Sequence, residues 1–157
     1  MKKKIDIYDA VLTIGTVAKL VDVAVQTIRM YEQAGLILPV KTSTGRRMYS
    51  ARDVDRLRCV RNMIREHGLN LNGIKRLMSL LPCWEFKGGL DEDCRHCPAY
   101  YDLEGPCWTL RNVGDKCKNA NCRDCEVYRM ELDCKRLKEI VFGHKRPLDP
   151  QGTKSEK

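Results

Sequence analysis

Apolar residues in the first half of the chain recur at intervals of three and four, the spacing of helices that bury one face. Thr13 is the expected N-cap of a helix over about 14–20. A second helix is expected over about 24–34, and it should stop at Gly35, where a glycine can adopt a positive φ. A tight turn at 21–23 joins the two. The pattern therefore predicts a helix-turn-helix.

A β-hairpin is predicted directly behind the second helix. Residues 36–42 and 46–49 form two short strand-like runs around the turn residues Ser43-Thr44-Gly45. Ser50 then begins a third helix, and Asp53, three residues later, supplies the acidic partner of a capping box. The hairpin therefore occupies the position of the wing in a winged helix-turn-helix.

A fourth helix is predicted between Asn70, its N-cap, and Pro82, which closes it. Together these elements predict a mostly helical winged helix-turn-helix domain over residues 1–82. One residue of the third helix, Cys59, lies away from the predicted buried face and is expected to be an ordinary exposed thiol.

Charge is distributed unevenly along the chain. The 29 Lys and Arg residues against 21 Asp and Glu give a formal net charge of +8. Residues 1–82 carry 15 basic and 7 acidic side chains, whereas residues 83–131 carry 7 and 10. A basic half followed by a mildly acidic half indicates a module that binds a polyanion, joined to a part with another task.

Three stretches of the basic half resemble the signature motifs of the mercury-resistance-regulator (MerR) family. They are T-I-R-M-Y-E-Q-A-G-L-I at 27–37, G-R-R-M-Y-S-A-R-D-V at 45–54 and G-L-N-L-N-G-I-K at 68–75. They stand in the family's order and cover about residues 13–81. Within the family, the heat-shock-repressor (HspR-like) branch is the most similar.

The resemblance implies a homodimeric regulator that binds double-stranded DNA at an inverted-repeat promoter element. Such a regulator either represses or, together with RNA polymerase, activates at an over-long promoter spacer. Short polar side chains at the start of the second helix suit entry into the major groove, and the wing suits contact with the DNA backbone. The residues expected at the DNA are Thr13, Gln26, Thr27, Arg29, Tyr31, Arg46, Arg47 and Tyr49, with Tyr49 either touching the DNA or bracing the wing. Further candidates for phosphate contact, some of which would simply be solvated, are Arg52, Arg56, Arg61 and Arg65.

Cysteine is concentrated in the second half: seven of nine lie between Cys83 and Cys125. No signal peptide or membrane-spanning run is recognisable, so a cytoplasmic location is expected. In that compartment, clustered thiols are more often metal ligands or redox groups than structural disulfides. The candidate ligands are Cys83, Cys94, Cys97, Cys107, Cys117, Cys122 and Cys125.

Residues 83–128 resemble a small bacterial cysteine-rich module with two Cys-Trp pairs (two-CW). A CxxC loop can place two sulfurs on one metal centre, and both zinc and an iron–sulfur cluster take four thiolates. Three alternatives therefore stay open for this half: an iron–sulfur cluster, zinc, or thiol/disulfide switching without metal. A metal could also serve only to hold the segment together.

The last part of the chain is predicted as an amphipathic helix over 127–142 and a disordered polar tail over 143–157. The helix would contact either a second copy or its own chain. The fold class expected for the whole is mostly α: the winged domain, a small metal- or cluster-stabilised cysteine-rich domain and the C-terminal helix.

Two functions compete on these grounds. The first is a DNA-binding regulator whose cysteine-rich half is a metal or redox sensor. The second is a metal- or redox-handling protein whose N-terminal half binds a protein partner. An enzyme is not expected, because the three histidines are scattered and no Cys–His–acid arrangement stands out.

Overall fold

The computed structural model describes residues 5–130, and its first part contains the four predicted helices close to their predicted bounds. They are α1 (Ile14–Val21), α2 (Val25–Gln33), α3 (Ala51–Arg65) and α4 (Leu71–Ser79). Three of them begin at a side-chain cap, which satisfies an N–H of the first turn. The caps are Thr13, Ser50 and Asn70, and Ser50 forms the expected capping box with Asp53.

The sheet differs from the predicted hairpin in two ways: the first predicted strand is shorter, and an additional strand precedes α1. Its strands are β1 (Leu12–Thr13), β2 (Val40–Lys41) and β3 (Arg47–Tyr49), in the antiparallel order β1-β3-β2. Strand β1 was not expected. The predicted strand over 36–42 is wrong in its first half: Leu36 and Ile37 are fully buried, and the backbone of Leu38 bonds to the cysteine-rich half.

The hydrophobic core lies in the first half of the chain, between α1, α2, α3 and α4. The apolar faces predicted for these helices point inward, and they meet the buried segment that follows α2. Cys59 belongs to this core at 8% exposure, so the expectation of an exposed thiol is wrong. The fully buried side chains there include Val17, Val21, Ile28, Leu36, Ile37, Tyr49, Leu57, Val60, Ile74 and Met78.

Short elements joined by turns make up the described part of the cysteine-rich half. The helices are α5 (Cys83–Phe86), α6 (Glu92–His96), α7 (Pro98–Tyr101), α8 (Asp115–Lys118) and α9 (Glu126–Arg129). Two 3-10 turns lie at Cys107–Thr109 and Cys122–Asp124. Among its described residues, few hydrophobic side chains are buried, so this half gains little from a core of its own.

The helix predicted over 127–142 is wrong in its described part: α9 ends at Arg129, and Met130, at ψ 132°, has left the helical conformation. Val127, at the start of the predicted amphipathic helix, is 2% exposed and packs within its own chain. The rest of the 127–142 segment, with the tail over 143–157, lies outside the described residues. No helix among residues 5–130 is long and apolar enough to cross a membrane.

Candidate nucleic-acid interface and cysteine cluster

The second helix, α2, presents a polar outer face and an apolar inner face. Gln26 and Arg29 are exposed and Thr27 is partly exposed, whereas Ile28 and Tyr31 are buried in the core. The polar face lies toward the N-terminal end of the helix, the end that a recognition helix directs into the major groove. Gln26, Thr27 and Arg29 are therefore available to a ligand outside the protein.

The side chain of Tyr31 is more buried than expected for a residue at the DNA. It is 4% exposed, and burial raises the pKa of its hydroxyl against the opposing effect of Arg65 and Arg61. It borders a surface groove that Thr27 and the same two arginines also line. Only the edge of Tyr31 that faces this groove can reach a phosphate, so its contact with DNA stays a prediction.

The wing is joined to the recognition helix through Glu32. This carboxylate accepts a hydrogen bond from Arg47 Nε at 2.7 Å and another from the hydroxyl of Tyr49. Tyr49 is fully buried, and burial together with Glu32 raises its pKa. Of the two roles expected for Tyr49, the structure leaves bracing of the wing. Arg46 is exposed near the wing tip.

Thr13 and two arginines of α3 take part in local contacts. The Oγ1 of Thr13 accepts from the Thr16 N–H at 3.3 Å, and Thr13 stays partly exposed. Arg61 pairs with Asp22 at 2.7 Å, across the turn between α1 and α2, and Arg65 is exposed.

Arg56 is neither solvated nor near the DNA-facing surface, so its inclusion among the phosphate contacts is wrong. It is 9% exposed, and it donates to the carbonyls of Leu36 at 3.0 Å and Tyr128 at 2.6 Å. Its guanidinium stacks on the rings of Tyr128 at 4.1 Å and Trp108 at 5.2 Å. A cation between two aromatic faces is stabilised by their quadrupoles. Arg56 therefore joins the two halves of the chain.

The cysteine-rich half docks on the segment that follows the recognition helix. The indole Nε1 of Trp108 donates to the carbonyl of Gly35 at 2.8 Å, and the hydroxyl of Tyr128 accepts from the Leu38 N–H at 2.8 Å. The approach at Gly35 is so close that a Cβ there would overlap the methyl group of Thr109. Gly35 therefore serves two needs, the positive φ of +72° that ends α2 and room for the docked half.

A second docking contact comes from Arg123, which lies between two cysteines of a CxxC sequence. Its guanidinium donates to the carboxylate of Asp53, at 2.8 Å for Nη2 to Oδ2 and 3.2 Å for Nη1 to Oδ1, and to the carbonyl of Leu38. Asp53 is at the same time the capping-box partner of Ser50. One carboxylate thus holds both the start of α3 and the cysteine-rich half.

The seven candidate ligand cysteines carry free, partly buried thiols. Burial, followed by the neighbouring Cys83, Cys117, Cys125 and Cys122, raises the pKa of Cys107 to about 12. These electrostatic neighbours come from distant parts of the segment, so the fold gathers the thiols around Cys107.

The remaining candidate thiols belong to the same group. Burial, followed by Cys97, Cys117 and Cys94, raises the pKa of Cys83 to about 11. Burial also raises the pKa of Cys117, which has both Cys97 and Cys125 as neighbours. Cys117 therefore interacts electrostatically with one cysteine of each CxxC sequence. We call the seven side chains the cysteine cluster.

Several polar groups lie against the cluster. The Gly114 N–H donates to the sulfur of Cys97 at 3.3 Å. The Asp93 carboxylate accepts from the backbone N–H groups of Asp115 and Lys116 at 2.9 and 3.2 Å, which holds α8 against α6. Burial lowers the pKa of Lys87, but the nearby thiols of Cys125, Cys117 and Cys107 raise it by more, so the pKa is raised overall.

The cluster as it stands is not a formed coordination shell. Within residues 5–130, no three His, Cys, Asp or Glu side chains lie in an arrangement that would hold a metal ion. His96 lies outside the cluster: its Nδ1 is 2.9 Å from the carbonyl of Glu92, and its side chain is 75% exposed.

The sequence did not single out Trp108, Arg123 or Asp53 as a link between the halves. In the sequence, Trp108 stands out as half of a Cys-Trp pair and Asp53 as the capping partner of Ser50. A tryptophan and an arginine placed next to cysteines in a segment with few aliphatic residues could have indicated a docking surface. Their partners on the first half could not be read from local spacing.

Residues 12–81 match the family model described as MerR HTH family regulatory protein. The chain is 41% identical over 70 residues to heat shock protein HspR of Streptomyces coelicolor, covering 45% of this chain and 46% of that protein. It therefore spans about half the length of that relative. It is 40% identical over 91 residues to the mercuric resistance operon regulatory protein of Bacillus cereus, covering 57% of this chain and 61% of that protein.

A third relative matches over most of its length. The HTH-type transcriptional regulator ZntR of Escherichia coli K12 is 31% identical over 138 residues, covering 83% of this chain and 92% of that protein. The winged helix-turn-helix described above occupies the region that the family model matches. The chain therefore belongs to the MerR family of helix-turn-helix regulators.

Proposed function

We propose that the chain is a transcriptional regulator that binds an inverted-repeat promoter element as a homodimer, and that its cysteine-rich half senses a metal or a redox state. Residues 1–82 are the proposed DNA-binding domain and residues 83–128 the sensing module. The observation that carries this proposal is the docking of the cysteine-rich half on Gly35 and Leu38, directly behind the recognition helix.

The proposed DNA surface consists of polar side chains on two elements with a fixed relationship. Gln26 and Arg29 are exposed on α2, and Arg46 is exposed on the wing. Glu32 ties the wing to α2 through Arg47. An arginine can read guanine or bind phosphate, and a glutamine can pair with adenine. A helix and wing held in a fixed orientation would present the base-reading and phosphate-binding side chains to the DNA at the same time.

The chemistry of the cysteine cluster fits a soft metal ion or an iron–sulfur cluster. Thiolate sulfur is the preferred ligand of both zinc and iron–sulfur centres. Without a cation, burial keeps Cys83 and Cys107 protonated, with pKa values of about 11 and 12. A bound metal would supply the positive charge that stabilises these thiols as thiolates. The residues that would hold it are among the seven members of the cluster.

The relatives agree with a metal-responsive role without identifying the metal. One of them is named for mercuric resistance. In this chain, the CxxC pairs and Cys117 provide more thiols than one tetrahedral ion needs. Zinc and an iron–sulfur cluster therefore both remain candidates, and thiol/disulfide switching is the third.

The first experiment identifies what the cluster holds. The full chain is purified without oxygen, its visible absorption is recorded, and iron, zinc and acid-labile sulfide are measured. Brown protein with about four irons and matching sulfide per chain would indicate a four-thiolate cluster and a redox or oxygen sensor. Colourless protein with tightly held zinc that never exchanges would reduce the cysteine-rich half to a scaffold. If the protein contains neither iron nor zinc and its thiols oxidise reversibly, the cysteine-rich half is a redox switch without metal.

The second experiment tests DNA binding and sensing together. Duplexes that bind the protein are selected from a random pool, and the affinity is measured against salt concentration. Binding through several phosphates weakens steeply as salt rises, whereas a contact with a protein partner would not. A variant with Cys94, Cys97, Cys122 and Cys125 changed to Ser should bind the selected duplex with altered affinity. If no duplex is enriched, or if the fourfold variant binds as the native protein does, the proposed function is wrong.

A further inference from the structure

We propose that Arg123 is a positioning residue that transmits the state of the Cys122–Cys125 turn to the DNA-binding half. The inference rests on the proposed function, because it names the route by which the cysteine cluster would regulate DNA binding. It comes from one juxtaposition. The backbone of Arg123 lies inside a CxxC turn, and its guanidinium contacts both Asp53, in the cap of α3, and Leu38, in the segment between the recognition helix and the wing.

The backbone at Arg123 is held within the turn. Its N–H donates to the side-chain oxygen of Asn121 at 3.2 Å, and its carbonyl accepts from Arg129 Nε at 2.9 Å. The turn Cys122–Asp124 is a 3-10 turn, and the Cys125 N–H closes it on the carbonyl of Cys122 at 3.1 Å. The start of the Arg123 side chain therefore depends directly on the geometry of this turn.

The far end of Arg123 reaches two places on the first half. It pairs with Asp53, which is only 4% exposed at its side chain, while the Arg123 side chain is 16% exposed. It also donates to the carbonyl of Leu38, whose N–H donates to Tyr128. Bidentate pairs of arginine with carboxylate are sensitive to orientation. A small change in the backbone of the turn would therefore weaken or break the hydrogen bonds that Arg123 donates to Asp53 and Leu38.

The state of the turn alters when its two sulfurs change partner. Two cysteines of a CxxC sequence on one metal centre hold the intervening residues in a tight turn, and release of the metal removes that constraint. The segment that Arg123 contacts connects α2 to β2, so it lies between the two elements that carry the DNA-facing residues. Arg123 is the side chain that connects the Cys122–Cys125 turn itself to this segment, so loading of the turn can act on the placement of the recognition helix relative to the wing.

The chain contains a matched comparison for Arg123. Arg95 occupies the same place in the other CxxC sequence, Cys94-Arg95-His96-Cys97. It is exposed, and within the described residues its guanidinium has no hydrogen bond or ion pair. Both arginines follow the first cysteine of a pair, but only Arg123 reaches the DNA-binding half.

The test is a double-mutant cycle on the full chain, with affinity for the selected duplex as its readout. One change is Cys122→Ser together with Cys125→Ser, which alters the turn whichever metal it holds. The other is Arg123→Gln. We expect the serine changes to shift the Kd by about fivefold or more in the native background, and by less than about twofold when Arg123 is already Gln. In an Arg95→Gln background the serine changes should keep their full effect.

The outcomes separate this inference from the proposed function. If the serine changes at Cys122 and Cys125 leave the Kd unaltered in the native background, this inference is wrong, and the fourfold cysteine variant decides separately whether the sensor role is wrong as well. If they shift the Kd equally in the native and Arg123→Gln backgrounds, the sensor role stands and the route through Arg123 is wrong. A loss of coupling in the Arg95→Gln background as well would also overturn the specific role of Arg123.

A second variant covers the case in which Arg123→Gln does not fold, as shown by thermal unfolding. Arg123→Lys keeps the charge but loses the two-point contact with Asp53. In the Arg123→Lys background the serine changes should shift the Kd by an intermediate factor, smaller than in native protein and larger than in Arg123→Gln. Hydrogen exchange at the Leu38 amide provides a second readout: the serine changes should speed this exchange in native protein, and by a smaller factor in Arg123→Lys. Full additivity in the Arg123→Lys cycle overturns the proposal.

Discussion

The indole N–H of Trp108 donates to the carbonyl of Gly35 at 2.8 Å, which ties the cysteine-rich half to the residue that ends the recognition helix. Gly35 closes α2 with a positive φ, and its carbonyl has left the helical pattern. Trp108 directly follows Cys107, a member of the cysteine cluster. The residue next to Cys107 is therefore hydrogen-bonded to the end of the recognition helix.

Trp108→Phe should destabilise the protein by about 1–2 kcal/mol, because the Gly35 carbonyl loses its donor while most of the ring remains. The check is the free energy of unfolding from urea denaturation. Trp84→Phe is the matched control: Trp84 follows the other paired cysteine and contacts Tyr100 edge-on at 5.4 Å. Its indole N–H has no hydrogen bond within the described residues, so the loss should be smaller. Equal losses would argue against the contact with Gly35.

Gly35→Ala should cost more stability than Gly45→Ala. The two glycines have similar positive φ values, +72° and +77°, so the backbone strain is comparable, about 1–2 kcal/mol. At Gly45 an added Cβ meets open space, but at Gly35 it overlaps the Thr109 methyl group. Thr109→Ser removes that methyl and should restore part of the difference. Thermal unfolding of the three single variants and of the Gly35→Ala, Thr109→Ser double variant decides this, and identical costs at the two glycines would contradict the docked arrangement.

Arg56→Met should lower the free energy of unfolding by about 2–4 kcal/mol, since the buried carbonyls of Leu36 and Tyr128 each lose a donor. Arg58→Met, two residues along the same helix, is the control. Arg58 is exposed, pairs with the exposed Asp55 at 3.2 Å and donates to the carbonyl of Leu20 at 3.2 Å. Because these contacts are exposed to solvent, its loss should cost only about 1 kcal/mol or less. Denaturant unfolding of both variants measures the difference. A small effect at Arg56 would show that the two halves do not depend on this contact.

Arg46→Ala should weaken binding to the selected duplex across sequences and reduce the dependence of log K on log salt by about one unit. The reason is that Arg46 is exposed near the wing tip, where one phosphate contact would be lost. Arg111→Ala removes an exposed arginine from the cysteine-rich half and should leave the slope unchanged. Titrations at four or more salt concentrations provide the measurement, and an unchanged slope for Arg46→Ala would remove the wing from the DNA surface.

Cys107 and Cys83 should be the slowest cysteines of the cluster to react with iodoacetamide in reduced, metal-free protein at mildly alkaline pH. Their pKa values of about 12 and 11 keep them as thiols, and the thiolate is the nucleophile. Their rates should rise only as the pH approaches those values. Peptide mass spectrometry gives the rate at each site, and protein unfolded in urea is the control in which the differences should disappear. Fast labelling of Cys107 in the folded protein would contradict its burial.

Local interactions made much of the first half predictable. The Ser50–Asp53 capping box, the Thr13 and Asn70 caps and the positive φ of Gly35 all formed as expected, because each joins residues only a few positions apart. Helical periodicity likewise predicted α1 to α4. The strand predicted over 36–42 was wrong where longer-range contacts compete: Leu36 and Ile37 enter the core, and the backbone of Leu38 bonds to Tyr128.

The order of amino acids was enough to predict the four helices of the first half, their caps, the motifs of the DNA-binding half and the presence of a thiol-rich segment. The tertiary structure decided that Tyr49 is buried, that Arg56 is enclosed by aromatic rings, and that Arg123 meets Asp53 across 70 residues of chain. The physical reason is that capping and helical periodicity depend on neighbours in sequence. The docking of one half on the other depends on which distant groups the packed core brings together.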